Sequence, residues 1–240
     1  MKTSWQKVSK WYGEIVGDKG HYYHQHVVMP NTIRLLNIKD GQSLIDLACG
    51  QGVLRRNIRQ KIKYVGVDIS RNLIEEAKRM DRQGEYIIAD VSQKLNIKEK
   101  FDFVTIILAL QNIKNMAGVI KNASELLDKN GKLLIVLNHP CFRIPRQSSW
   151  GIDEQNKIEY RRINRYLSPL DVPIGVGGGI TWSFHHAIGD YMSELKKNNL
   201  VVEILEEWTS DKSSEGSAKK MEDRSRKEFP LFITLVACQK

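Results

Sequence analysis

Asp46-Leu47-Ala48-Cys49-Gly50-Gln51-Gly52 closes the apolar run Ser43–Leu47 and leads into Val53, Leu54 and Ile58. Small residues at a strand-to-helix turn let a ligand approach the backbone closely. In an open α/β sheet, ligands sit outside the carboxyl ends of the strands, where this loop lies. Asp68 ends the next β-rich run 22 positions later, and Asp90 ends the third after another 22. A carboxylate at the second strand end suits two ribose hydroxyls. One at the third suits an exocyclic amine, with Val91 against an adenine face. The three acids are expected to form a row along one rim of a sheet. A dinucleotide site would need a third small residue where Arg55 stands, and a phosphate-binding loop would need Gly-Lys-Ser/Thr. The pattern therefore points to a nucleoside without phosphate, and the acidic rim suits a cationic group on it.

Working outward, Ser43–Leu47, Tyr64–Val67, Tyr86–Ala89, Phe103–Leu108 and Lys132–Leu137 are short β-rich runs separated by helical or polar stretches. Met116, Val119, Ile120, Ala123, Leu126 and Leu127 share one helical face, and Ser70 reads as an N-cap before Leu73, Ile74 and Ala77. Alternating strand and helix predicts a parallel sheet covered on both faces. Ile188, Tyr191, Met192 and Leu195 form a last stripe, with His185 and His186 expected to begin that helix. Val201–Leu205 and Leu231–Cys238 follow as an antiparallel edge pair. The chain is expected to form a single unit across 1–240. Residues 1–30 would be an N-terminal cover, 141–183 a substrate-side insertion, and 209–229 a charged, solvated loop with six Lys/Arg against five Asp/Glu over 209–228.

Composition narrows the class. The 240 residues carry 37 Lys+Arg against 28 Asp+Glu, a net charge of +9, and 41% are hydrophobic, enough for a packed core. The longest apolar stretch, Val104 to Leu110, falls far short of the roughly 20 residues that span a bilayer. Neither that nor the opening MKTSWQKVSKW suggests membrane insertion or a signal peptide, so a cytoplasmic location is expected. Three cysteines without paired spacing suit reduced thiols.

Asp-x-Ala-Cys-Gly-x-Gly with acids after strands two and three resembles the class I, Rossmann-like S-adenosylmethionine-dependent methyltransferases, most of all their small-molecule branch. The resemblance runs from about Asn31 to the C-terminus, apart from the insertions. It implies an α/β fold with a seven-stranded, mostly parallel sheet of order 3-2-1-4-5-7-6, strand 7 antiparallel, flanked by helices. It also implies S-adenosyl-L-methionine as cofactor. By position, the loop with Asp46, Ala48, Gly50 and Gly52 would hold the methionine end, Asp68 and the adjoining Ile69 the ribose, and Asp90 and Val91 the adenine. Leu108 would lie below the sulfonium, and Tyr22 or Tyr23 would roof the methionine. Ala48 stands where glycine is common, which is tolerable unless the backbone there needs a positive φ.

Methyl transfer from a sulfonium is an in-line displacement in which positioning supplies about 7–11 kcal/mol. A catalytic base is optional, and no metal-ligand spacing occurs. His139, after strand five, could serve as a base, orient an acceptor or cap its turn. His185 is a second candidate for the same pocket, and Asn112, Arg143 and Trp150 are candidate acceptor contacts, arginines with aromatics suiting an anionic or planar acceptor. Cys141, in Pro140-Cys141, lacks the second Pro-Cys of cytosine-methylating enzymes and reads as a packed thiol. A small-molecule acceptor, methylated at O, N or C, is favoured by the insertion and the cover. The alternative is an RNA methyltransferase, for which Arg55, Arg56, Arg59, Lys61 and Lys63 offer a basic cluster.

Overall fold

The computed structural model describes residues 4–17 and 20–240. In chain order the elements are α1 (Ser4–Val16), a π-helical turn (His24–Val28), α2 (Met29–Leu36), β1 (Ser43–Leu47), α3 (Val53–Asn57), β2 (Lys63–Asp68), α4 (Arg71–Met80), β3 (Glu85–Ile88) and β4 (Phe101–Ile107). A 3-10 turn (Leu110–Asn112), α5 (Met116–Leu126), β5 (Leu127–Asn138), β6 (Ser148–Asp153), β7 (Ile158–Ile163), β8 (Leu170–Val176) and β9 (Gly179–His185) follow. The chain closes with α6 (Ile188–Lys197), β10 (Leu200–Trp208), α7 (Lys219–Glu228) and β11 (Phe232–Gln239).

Seven strands form one sheet in the order β3-β2-β1-β4-β5-β11-β10. β1 to β5 pair in parallel, and β11 runs antiparallel between β5 and β10. With β11 as the seventh and β10 as the sixth core strand, this is the expected order 3-2-1-4-5-7-6. Central strands of a parallel sheet are covered on both faces and so read as unbroken apolar runs. Accordingly, Leu44, Ile45, Leu47, Val104 and Ile106 are fully enclosed. β10 lies at the edge and, between buried Leu200 and Trp208, alternates exposed with half-buried residues. Ile45, Leu47, Val65 and Val67 pack on α5 and α6, through Val119, Ile120 and Leu195. Leu44, Tyr64 and Val136 pack on the opposite side against Leu36, Leu54, Ile74 and Ala77 of α2, α3 and α4. Ser70 caps α4, its hydroxyl accepting from the Leu73 N–H.

The insertion is two β-hairpins, β6–β7 and β8–β9. The β8–β9 turn places Gly177 and Gly178 at φ +51° and +75° between the paired Val176 and Gly179. A two-residue hairpin of that hand needs two residues with positive φ, which the glycine run supplies. His185 consequently ends β9 instead of opening the next helix, which starts at Ile188 with the Asp190 carboxylate accepting from the Ala187 N–H at 2.9 Å. The second half of the charged segment 209–229 is also not loop. It winds into α7 and lies on β7, where the Ser225 hydroxyl donates to the Glu159 carbonyl.

The loop after β1 holds Ala48, Gly50 and Gly52 at φ +62°, +56° and +76°. Ala48 thus occupies a left-handed conformation that costs an L side chain about 1–2 kcal/mol. Glycine there would relieve that cost and give back part of it through a freer unfolded chain. Ala48→Gly is expected to stabilise the fold by about 0.5–1 kcal/mol, read as a melting temperature roughly 1–4 °C higher. A lower melting temperature would mean that the alanine methyl packs more favourably than its backbone is strained.

Candidate active site

β2 ends on Asp68, and this residue joins two loops. Its Oδ2 accepts from the Gly50 N–H at 2.9 Å and its Oδ1 from the Ser70 N–H at 2.8 Å. Burial pushes its carboxyl above the usual range, opposed by the backbone donors of Ser70, Gly50 and Ile69. Each oxygen retains acceptor capacity beyond its one bond. Asp90 lies just past β3, half-buried, with Oδ1 taking both the N–H and the hydroxyl of Ser92. Ile69 is half-buried beside Asp68.

Asp46 does not join that row. It lies within β1, not beyond its end, and strand alternation turns it to the face that carries Tyr64. There it is buried and accepts the Thr105 hydroxyl at 2.8 Å and the Tyr64 hydroxyl at 2.9 Å. Val91 likewise packs into the core beside Leu110 and Met116. Leu108 directly follows β4 at φ +51°, and its carbonyl accepts from Gln111 Nε2 at 2.8 Å and Asn112 Nδ2 at 3.3 Å.

The cover over the loop comes from α1, not from Tyr22 and Tyr23. A Cβ built on Gly50 would sit 3.6 Å from the Tyr12 hydroxyl. Gln51 is buried beneath α1, with Nε2 donating to the Gly17 carbonyl at 2.6 Å and Oε1 unpartnered. Asn72 of α4 donates to the Ser9 hydroxyl at 2.9 Å, while Trp11 and Val8 meet the glycines of the β8–β9 turn. Tyr22 instead donates to Asp211 and stacks on His26, and Tyr23 pairs with the Ser210 hydroxyl and packs on Phe232. Tyr12 was legible only as one aromatic among several; its i+7 spacing from Trp5 did not announce the contact.

Beyond Leu108, at the carboxyl ends of β4 and β5, lies a small cavity of about 40 Å³ lined by Gln111, Asn138, Arg143, His185, His186 and Tyr191 among others. Arg143 is where the sequence reading placed an acceptor contact. Its Nη1 donates to Asn138 Oδ1 at 2.7 Å, and the guanidinium lies 5.5 Å from the Phe232 ring centroid. Gln111 was not anticipated, while Asn112 is tied to the Leu108 carbonyl. His185 is buried, its Nε2 faces the Tyr166 carbonyl at 2.8 Å, and burial lowers its pKa. Because a carbonyl only accepts, Nε2 carries the proton and Nδ1 the lone pair.

Two expected contacts lie elsewhere. His139 is buried with Nδ1 accepting from the N–H groups of Cys141 and Phe142 and Nε2 bonded to Glu207 at 2.7 Å. Both nitrogens are engaged, so His139 ties its turn to β10 and is not turned toward an acceptor. Trp150 is 41% exposed and packs on Phe229 and Arg161, outside the cavity. Two members of the basic cluster of the nucleic-acid alternative are engaged within the fold, while Arg59 and Lys61 are exposed. Arg55 is buried, donating to the Ile58 carbonyl and to Gln83 and facing Asp81, and Lys63 pairs with Glu99. Arg55 is therefore not available for a phosphate contact.

The family model described as a methyltransferase domain matches residues 38–161, just over half of the sequence. The chain belongs to this methyltransferase-domain family. It is 30% identical over 128 residues to N-methyltransferase 4 of Papaver somniferum, covering 50% of this chain and 36% of that protein. It is 26% identical over 108 residues to the demethylmenaquinone methyltransferase of Thermotoga maritima, covering 44% and 47%. The chain thus spans between a third and a half of the length of these curated relatives. An S-adenosylmethionine dependent methyltransferase from Mesorhizobium loti shares the fold with a TM-score of 0.67 at 21% identity, over 87% of this chain and 95% of that one. Among the described residues of this methyltransferase-domain protein, no helix is long and apolar enough to cross a membrane.

Burial pushes the Asp46 carboxyl up to about 7, opposed by the Thr105 and Tyr64 bonds and reinforced by Asp68. The folded state therefore takes up a proton here between the unfolded value near 3.8 and about 7. The stability this contributes is complete below the unfolded value and is lost as pH rises through about 7. Asp46→Asn should remove a fall of up to about 1.4 kcal/mol per pH unit between pH 5 and 7. Urea unfolding across that range tests this, and parallel curves for the two proteins would refute it.

Proposed function

We propose that this protein transfers a methyl group from S-adenosyl-L-methionine to a small molecule held in the cavity at the ends of β4 and β5. The observation that carries the reading is the adjacency of two unlike sites on one sheet edge. Asp68 and the left-handed Gly50 loop lie at the ends of β1 and β2. The polar cavity lies at the ends of β4 and β5, next to Leu108. The residues fit the cofactor. Asp68 would accept ribose hydroxyls, Asp90 would use Oδ2 for the adenine amine, and Gly50 leaves room between the loop and Tyr12 that a side chain would fill. A cation suits this acidic rim. The curated relatives support a small acceptor, since the names of two concern an N-methyltransferase and a demethylmenaquinone methyltransferase.

When bound, the cofactor supplies an electrophilic methyl on a sulfonium. Tyr12 and the rest of α1 exclude water from the loop, which favours alignment over hydrolysis. Gln111 and Arg143 orient the acceptor. The lone pair on His185 Nδ1 receives the proton that an O–H or N–H acceptor loses, and its lowered pKa keeps the ring neutral for that role. The three unpaired cysteines agree with a cytoplasmic setting. An RNA acceptor is less well supported, because two of the five basic side chains it would use are engaged within the fold, Arg55 by burial and Lys63 by Glu99.

Asp68→Ala is expected to weaken S-adenosylhomocysteine binding by at least about 100-fold in calorimetry, the loss of two hydrogen bonds to a charged group. Unchanged affinity would remove Asp68 from the cofactor site. Incubation with methyl-labelled S-adenosylmethionine should label a compound in a nucleic-acid-free metabolite extract and leave tRNA unlabelled. The reverse pattern would establish the RNA reading.

A further inference from the structure

One stretch of the surface breaks the chain's own pattern. Charged residues make up 27% of the sequence, yet none occurs in the thirteen residues 172–184, where that share would give about three. This stretch is the hairpin β8–β9, and strand alternation gives it two unlike faces. Thr181 and His185 point inward and are buried, as is Val172 on the paired strand. Ile180 and Trp182 point outward and are 60% and 43% exposed, with Pro173 opposite Trp182 in the register. The neighbouring hairpin β6–β7 has the ordinary composition of a solvated hairpin, with Asp153, Glu154, Lys157, Glu159, Arg161 and Arg162 in its strands and turn. Cations flank the uncharged face. Exposed Arg146 donates to the Pro173 carbonyl at 2.7 Å, and α1, on which the glycine turn rests, exposes Lys7 and Lys10. The carboxylate at the end of this face, Asp171, is held by Lys114 at 2.9 Å.

We infer that this face docks on an anionic lipid bilayer, Ile180 and Trp182 entering the interface while Arg146, Lys7 and Lys10 meet lipid phosphates. An indole seats at the boundary between headgroups and acyl chains, and Lys and Arg near the surface are drawn to anionic lipid. Charged side chains are the ones that resist transfer out of water, so their absence from residues 172–184 is what entry into the interface requires. A second copy of the chain fits less well. Ile180 and Trp182 together expose on the order of 200 Å², far below the roughly 800 Å² per partner that a stable protein interface buries. A bilayer demands no matching shape, so inserted side chains with a basic flank suffice for reversible docking. Such docking needs no spanning helix, and among the described residues none is long and apolar enough to span. Phe184, next on the same stripe, lines the cavity beyond Leu108, so the docked face adjoins the proposed acceptor side.

The test is flotation of the full chain with vesicles of phosphatidylglycerol and phosphatidylcholine in equal parts, and with vesicles of phosphatidylcholine alone. Binding to the mixed vesicles is expected to be at least about tenfold tighter and to weaken with added salt as the Debye length shortens. The double variant Ile180→Ser, Trp182→Ser should bind the mixed vesicles at least about tenfold more weakly, with an unchanged melting temperature because both side chains are exposed. A net charge of +9 by itself attracts anionic vesicles, so contact is read separately. Brominated acyl chains should quench the tryptophan emission of the unaltered protein, and Trp182→Phe should lose most of that quenching while still binding. Absence of binding to the mixed vesicles, equal binding by the double variant, or quenching that is absent or persists in Trp182→Phe would overturn the inference. So would a dimer in light scattering that the double variant abolishes, since a second copy would then occupy the face. No step uses the methyl donor, so failure of the methyltransferase reading leaves this outcome unaffected.

Discussion

The grip of the Asp68 carboxylate on two backbone N–H groups underlies the rest of the site. One oxygen holds Gly50 in the loop after β1 and the other holds Ser70 at the start of α4. Without it, the left-handed loop would lose its tie to β2, and the helix start would lose the turn that presents its cap. Burial makes the charge on this carboxylate costly, and the surrounding N–H donors offset that cost. The arrangement leaves an anion at the edge of the sheet that can still accept hydrogen bonds.

Across the same edge the electrostatics change sign. The ends of β1 and β2 present carboxylates, and the cavity beyond β4 and β5 presents a guanidinium and two imidazoles. The crevice between β1 and β4 marks the point where the strand order reverses, and an open α/β sheet exposes its strand ends to ligand there. α1 spans this region, touching α4 through Ser9 and the β8–β9 turn through Trp11. The insertion therefore serves the site in two ways: its second hairpin supplies His185 to the cavity wall and a glycine turn on which the cover rests.

The sheet was legible because parallel strands buried on both faces leave an apolar signature that hardly depends on their neighbours. The hairpins were not, because β6 to β9 are half-exposed, with Arg161 and Trp182 mixed among the apolar residues. α7 carried no apolar stripe, since it buries little beyond Ser225. Among the proposed site residues, Asp68 and Asp90 were suggested by their place at strand ends, and Arg143 by its position in the insertion. Asp46 misled because its motif position says nothing of which face a residue inside a strand presents. His139 misled for a different reason: Glu207, which occupies its ring, lies 68 positions away and arrives only through the antiparallel edge pair.

Sequence alone determined the succession of strands and helices, the small-residue bend and the acids at the second and third strand ends, because each follows from periodicity and spacing within a few residues; the order of the strands in the sheet came from the family resemblance. Tertiary structure decided which aromatic covers that bend, which histidine keeps a lone pair and which amide oxygen is left without a donor. Those outcomes depend on partners brought from distant segments, and hydrogen bonds between such segments have no signature in the chain that makes them.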